Sequence, residues 1–192
     1  TVTVSSNGCE ATASQAIGKN VTAPTADAGS DFTKTCTSNA NGKAIGATAV
    51  SGETYSWSPT TGLSSSTAAN PTANPSSTTT YTVTATKTST GCTSTDNVKV
   101  TVNKTAPTAS ITNNTGTSEL NCNTKSISVT AKGGGTYKWS NSLGTSAGAT
   151  ISAAGTYTVT VTSSSTGCTD SESIKITKDV SAPTADAGSD FT

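Results

Sequence analysis

The chain has 192 residues, 44 of them Thr and 30 Ser, so hydroxyl side chains fill over a third of it. Charged residues reach only 11 %, all eleven basic residues are Lys, His and Met are absent, and the formal net charge is zero. These values remove the basic footprint that nucleic acid or anionic lipid needs, the imidazole of a Ser-His-Asp or Cys-His device, and the run of about 18 apolar residues of a membrane-spanning helix.

The first residues, Thr1-Val2-Thr3-Val4, share the alternation of the later Tyr81-Thr82-Val83-Thr84 and Tyr157-Thr158-Val159-Thr160. Residues 1–22 therefore read as the C-terminal part of a preceding β-module. The eleven residues at 23–33 return unchanged at 182–192, and a shortened echo, Ala106-Pro107-Thr108-Ala109-Ser110, lies between them. Each start stands 14 positions after the cysteine of a Gly-Cys pair: Gly8-Cys9, Gly91-Cys92 or Gly167-Cys168. A fixed offset marks a tandem array. It divides the chain into a module at 23–105, a module at 106–181 and the start of a following module at 182–192.

In the first module, 44–50, 54–58, 81–86 and 96–102 read as strands, with a Pro- and Asn-rich insert at 59–77 that indicates turns. In the second, 107–112 opens with Pro at a strand edge, and 125–131 alternates apolar and polar residues. Gly133-Gly134-Gly135 breaks that run, and 136–140, 149–152, 155–162 and 173–177 follow. Short strands with turn signals at this density suit a β-sandwich. No sustained helical period is present, so the fold class is all-β, with tandem sandwich modules and essentially no helix. Low charge with many hydroxyls also marks disorder, but disordered chains lack the β-branched and aromatic residues that recur here in register.

Five cysteines in a charge-poor chain point to an oxidising compartment. Cys36 precedes the strands of one module and Cys92 closes its last hairpin; Cys122 and Cys168 hold the same two places in the next. The repeat register predicts bridges Cys36–Cys92 and Cys122–Cys168, each stapling one module. Cys9 matches the closing cysteines and is left unpaired within this stretch; the alternative is a free or intermolecular thiol. Metal ligation is the lesser reading, since no CxxC spacing and no His are present. The cores are thin, with one Trp per module and only three Leu in all. A bridge closing such a loop is worth about 4 kcal/mol, comparable with the roughly 5 kcal/mol margin of a small domain.

Trp57 and Trp139 lie mid-strand in a Tyr-x-Trp alternation, which favours a core role over a sugar-stacking platform. Tyr81 and Tyr157 begin the penultimate strands as structural corner tyrosines. Asp27 and Asp31, repeated as Asp186 and Asp190, stand four apart beside module boundaries and are candidates for a shared Ca²⁺. The plainer reading is a turn in which Asp accepts backbone N–H groups and Gly29 supplies an unusual φ. The middle copy has Ser110 in place of an Asp, so no metal or cofactor is assigned beyond that Ca²⁺ candidate. The eleven acids are scattered, so paired carboxylates of the glycosidase kind are not indicated, and the chain reads as no enzyme.

Several elements resemble the Ig-like, polycystic-kidney-disease-like (PKD-like) repeats of giant Bacteroidetes surface adhesins. They are Ala26-Asp27-Ala28-Gly29-Ser30-Asp31, Tyr55-Ser56-Trp57-Ser58-Pro59, Asn70-Pro71-Thr72-Ala73-Asn74-Pro75, Thr80-Tyr81-Thr82-Val83 and Gly91-Cys92. The second module, with Leu120-Asn121-Cys122, Tyr137-Lys138-Trp139 and Gly155-Thr156-Tyr157, is similar to repeats of SprB-type gliding-motility adhesins. The resemblance implies type IX secretion, attachment outside the outer membrane as an extracellular filament, and work in gliding or surface attachment. It implies neighbouring modules, surface polysaccharide or a solid surface, and the secretion and motility machinery as partners. It transfers no ligand-site residue. The chain thus reads as a stalk segment. Its rivals are a carbohydrate-binding module of a secreted protein, which needs an exposed aromatic platform, and a Ca²⁺-dependent surface-layer or assembly protein.

Overall fold

The computed structural model describes residues 2–6, 9–15, 18, 22–182 and 188, with backbone alone for 2–6 and 9–12. The regular elements among them are all strands. β1 (Val2–Ser6) and β2 (Cys9–Ala13) form an antiparallel hairpin in which Ser6 faces Cys9. Next come β3 (Phe32–Lys34), β4 (Lys43–Ala44), β5 (Glu53–Ser58), β6 (Thr72–Ala73), β7 (Thr79–Lys87) and β8 (Thr93–Val102). The last seven are β9 (Ser110–Asn113), β10 (Glu119–Leu120), β11 (Ile127–Lys132), β12 (Thr136–Trp139), β13 (Gly148–Ile151), β14 (Gly155–Thr162) and β15 (Thr169–Lys178).

The chain forms two compact units. Thr1–Asp31, Lys43–Pro75 and Thr79–Val100 make the first; Phe32–Gly42, Ser76–Thr78 and Thr101–Thr192 make the second. The turn that carries Cys36 thus belongs to the second unit.

In the first unit, Thr-rich alternation dictates the main sheet. Along β7, Tyr81, Val83 and Ala85 point inward and are buried, while the intervening Thr side chains point outward. This is the period-2 arrangement of a half-buried strand. β8 sets Val98 opposite Tyr81 and Val100 opposite Thr79, and β5 sets Trp57 opposite Val83. Within the unit the sheet order is β8-β7-β5. Among the described residues the other layer consists of the two-residue strands β4 and β6, an isolated bridge from Leu63 to Ala73, and loop backbone. The strand expected at 44–50 stops at Ala44. Gly46 lies at φ +80°, so close to the Ala69 carbonyl that a Cβ there would overlap it. Its N–H donates to the Ala28 carbonyl at 2.8 Å, and the Ile45 N–H to the Pro71 carbonyl at 2.9 Å. Backbone groups freed from the ladder are thereby satisfied by loops.

The second unit contains a fuller sandwich. One sheet runs β10-β15-β14-β12 and the other β13-β11-β9. Ile127, Val129 and Ala131 of β11 and Ile151 of β13 pack in one cluster with Trp139, Tyr157, Val159, Val161 and Ile176. On the outer face the hydroxyls pair across strands: Thr158 Oγ1 with Ser173 Oγ at 2.8 Å, and Thr160 Oγ1 with Ser171 Oγ at 3.1 Å. Such cross-strand pairs are worth a few tenths of a kcal/mol, up to about 1, on a face that also carries Lys138 and Lys175.

Candidate functional site

The aromatic anchors are structural in both units. Trp57 and Trp139 are 2 % and 3 % exposed, and their indole N–H groups donate to the Ala68 carbonyl at 2.8 Å and the Ser146 carbonyl at 3.0 Å. The Tyr81 hydroxyl donates to the Thr61 carbonyl at 2.7 Å, and the Tyr157 hydroxyl to the Ala153 carbonyl at 3.0 Å. Burial pushes the Tyr81 phenol above its usual pKa, against a smaller opposing hydrogen bond with Thr79. Neither indole offers a face for a sugar.

The boundary carboxylates tie down backbone. Asp27 Oδ1 accepts the Gly29 N–H at 2.8 Å, where Gly29 has φ +82°, and Asp31 Oδ1 accepts the Lys99 N–H at 2.7 Å. Asp186 and Asp190 lie outside the described residues. No cluster of three or more His, Cys, Asp or Glu placed to hold a metal occurs among the described residues.

Further pins join each opening segment to the closing strand of its unit. The Ala26 N–H donates to Ser94 Oγ at 2.8 Å, and at the equivalent place the Ala109 N–H donates to Asp170 Oδ2 at 2.8 Å. Sequence reading missed these pins; their signal was a polar residue two positions after each closing cysteine.

The cysteines correct the sequence register. Cys36 is bonded to Cys168, across 132 residues, with Cα atoms 5.1 Å apart. The expected bridges Cys36–Cys92 and Cys122–Cys168 do not form, and Cys92 and Cys122 carry free thiols. The side chain of Cys9 lies outside the described residues.

Strand length is the reason. The Lys34 carbonyl accepts the Asn103 N–H at 2.9 Å, which places the Cys36 turn beyond the far end of β8, while Cys92 stands just before its near end. Leu120 likewise pairs with Lys178 at the far end of β15, while Cys168 precedes the near end. Each of these strands has ten residues, a length of roughly 33 Å. A disulfide needs Cα atoms within about 7 Å.

The surroundings of the bridge are built by local turns. Thr35 Oγ1 accepts the Thr37 and Ser38 N–H groups at 3.2 and 2.9 Å, shaping the turn around Cys36. The Gly167 N–H donates to the Ser163 carbonyl at 2.9 Å, and Gly167 at φ +67° turns the hairpin that presents Cys168. Thr166, 2 % exposed, donates its hydroxyl to the Thr105 carbonyl at 2.9 Å, and its own carbonyl accepts the Cys36 N–H at 3.1 Å. A Cβ on Gly167 would overlap the Thr37 side chain. Lys34, two residues before Cys36, is buried; that burial, and then the charge of Lys104, lowers its pKa.

No protein-family profile matches the chain, and no curated protein matches it. Among solved structures it is similar to three N-terminal domains of the highly immunogenic outer capsid protein (Hoc) of bacteriophage RB49, at 21 % identity, 71 % coverage of this chain, 55 % of that one and a TM-score of 0.36. It is similar to the C-terminal 282-residue fragment of intimin, solved with the intimin-binding domain of its translocated receptor, at 21 % identity, 70 % and 56 % coverage and a TM-score of 0.35. Fibronectin(III)-like modules of CbhA from Clostridium thermocellum match at 18 % identity, 80 % and 94 % coverage and a TM-score of 0.27. The chain spans little more than half the length of the first two. At scores this low the likeness reaches no further than the general all-β build.

Proposed function

We propose that the chain is a stalk segment of a secreted cell-surface adhesin, a filament of repeated Ig-like modules that works mechanically. The observation that carries this reading is the Cys36–Cys168 bridge, which encloses 132 residues of chain. Tension along the backbone crosses from residue 36 to residue 168 through sulfur, so the chain between them is spared. Hydroxyl-rich faces with few charges suit a surface whose contacts are little altered by salt. The partners in this reading are neighbouring modules, a surface polysaccharide or solid surface, and, for a gliding adhesin, the type IX secretion and motility machinery. Adhesion spread over many copies needs no deep pocket, since avidity multiplies weak contacts.

The test uses Fab fragments raised against the folded chain and coupled to beads. Beads are expected to attach to intact, unpermeabilised cells of the source organism, and to travel along them if the filament serves gliding. Attachment only after permeabilisation would sink the cell-surface reading. The carbohydrate-binding alternative has lost its Trp platform to the core, and the Ca²⁺ alternative predicts a melting temperature that rises in millimolar Ca²⁺.

A further inference from the structure

The outward faces of the two main sheets are lattices of hydroxyls. In the first unit β5, β7 and β8 set Thr54, Thr86 and Thr93 side by side in one row, and Ser56, Thr84 and Thr95 in the next. A third row, Ser58, Thr82 and Asn97, ends on an amide. In the second unit β12, β14 and β15 repeat the arrangement with Thr136, Thr162 and Thr169. Lys138, Thr160 and Ser171 make the second row there, and Ser140, Thr158 and Ser173 the third. All of these side chains are exposed or half-buried. Neighbours stand about 4.8 Å apart across strands and about 6.7 Å apart along them.

Strand propensity favours Thr on a pleated surface, but it neither selects Ser nor excludes charge. Protein surfaces ordinarily carry charge at about a quarter to a third of positions. These rows hold Lys138 as their one charge and no carboxylate. Lysine returns in the fourth row of each sheet, as Lys99 opposite Thr80 and Lys175 opposite Thr156. The opposite sheet of the second unit lacks the pattern. There Gly148 faces Thr130, and Asn114 Nδ2 donates to Thr130 Oγ1 at 2.8 Å.

The rows have the properties of a contact surface for an uncharged ligand. Each hydroxyl both donates and accepts, and stripping it of water costs far less than stripping an ion. Thr is stiff at χ1, so covering it loses little rotamer freedom. In the second unit Thr158 and Thr160 are held further by their bonds to Ser173 and Ser171. Ser140 Oγ accepts the Thr158 N–H at 3.0 Å, which leaves its own proton to donate outward. On this face an open depression of about 360 Å³ is lined by Lys138, Ser140, Thr158 and Thr160, with the buried Trp139. Ligand sites run from about 300 to 1,000 Å³, so it is of a size for a small ring. Strands in a sheet twist by about 20–25° from one to the next, a surface that a flexible chain can follow and a rigid crystal plane cannot.

We propose that these faces bind a neutral polysaccharide, laid across the rows with one sugar ring in the depression beside Thr160. The complementarity is one of charge. A neutral glycan presents hydroxyls that donate and accept in turn, whereas an acidic one needs cations that the three rows supply only at Lys138. With no aromatic platform the contact is hydrogen-bonded and weak in each module, and repeated copies multiply it. The proposal names the ligand chemistry of the adhesin reading and rests on that reading for its setting. The bead assay reports where the chain sits and the assay below what it holds, so either can fail while the other succeeds.

The experiment runs the full chain in native gels cast with a soluble polysaccharide and measures retardation against a plain gel. The neutral set is hydroxyethyl cellulose, xyloglucan, laminarin, dextran, mannan and galactan; the acidic set is alginate and polygalacturonate. At least one neutral polysaccharide is expected to retard the chain, and to do so equally in high salt. Thr84→Val and Thr160→Val, at the centres of the two lattices, remove a hydroxyl and keep the shape. Each is expected to weaken the binding of its face about five-fold, the worth of one hydrogen bond. Thr150→Val, on the opposite sheet, should leave retardation unchanged. The Cys36–Cys168 bridge, mapped in each variant, certifies the fold. No retardation by any neutral polysaccharide, retardation by the acidic set alone, or its loss in high salt would overturn the proposal. So would wild-type retardation of the Thr84→Val/Thr160→Val double variant, or an equal loss in Thr150→Val.

Discussion

The two units solve the same packing problem with different amounts of regular structure. The second faces its four-stranded sheet with a three-stranded one, whereas the first faces its sheet with β4, β6 and loop backbone. Both keep one buried Trp and one buried corner Tyr, and both spend the polar tips of those rings on loop carbonyls. In the second unit the tips reach 7 and 4 positions along the chain; in the first they reach 11 and 20. The long insert of the first unit is thus fastened by the residues that fasten the short turns of the second. A missing strand is tolerated where an aromatic anchor recovers the loop.

The largest test of this contrast is the disulfide, which lies wholly within the second unit. Closing a loop of 132 residues stabilises by about 5 kcal/mol through lost unfolded-chain entropy. Each unit has one buried Trp, so Trp57→Phe leaves a fluorescent reporter in the second unit and Trp139→Phe leaves one in the first. Reduction is expected to lower the denaturant midpoint reported by Trp139 far more than that reported by Trp57. Equal shifts would mean that the units unfold as one. Pulled by its ends under reducing conditions, the chain should also yield roughly 450 Å of extra length at about 3.5 Å per residue, a release absent while the bridge holds.

Trp→Ala comes next, at about 3–5 kcal/mol for a buried indole. Trp139→Ala, set between two regular sheets, is expected at the upper end, and Trp57→Ala lower because loops collapse more readily than strands. Urea denaturation of each variant measures this, and the reverse order would show that the loop layer is the stiffer one. A smaller contrast lies between two glycines with φ +80°. Gly46→Ala meets the Ala69 carbonyl and the Trp57 ring, whereas Gly116→Ala meets nothing within 4 Å. The second should cost about 1–2 kcal/mol for the left-handed backbone alone, and the first clearly more in the same denaturation assay.

What was legible in the sequence was whatever alternates. The Thr-x-Val-x pattern located β7 and β14, and Tyr-x-Trp located β5 and β12 with their buried rings. Two things were not legible. The repeat showed which cysteines are equivalent, but order along a repeat does not show that a ten-residue strand separates Cys36 from Cys92. The run at 44–50 has strand composition, yet Gly46 takes a left-handed φ against the Ala69 carbonyl, a contact that no local pattern announces. Asp27 was legible as a turn-former, since it caps Gly29. The partner of Asp31, the Lys99 N–H, is a long-range choice set by the sheet.

The smallest effect lies at the corner tyrosine of the first unit. The Tyr81 phenol is fully buried and its pKa is raised above 10.0, chiefly by that burial. A folded-state pKa above the unfolded one contributes stability that is whole below pH 10 and is lost as pH rises through the raised value, because the unfolded chain releases its proton first. The wild-type melting temperature is therefore expected to fall above pH 10. Tyr81→Phe costs about 1 kcal/mol at neutral pH through the lost hydrogen bond to Thr61, but it should flatten that alkaline fall. Melting curves from pH 8 to 11 on the wild type and Tyr81→Phe decide the matter. An unchanged alkaline slope in Tyr81→Phe would show that the insert opens before the phenol ionises, and that the loop layer of the first unit is held by something other than its corner.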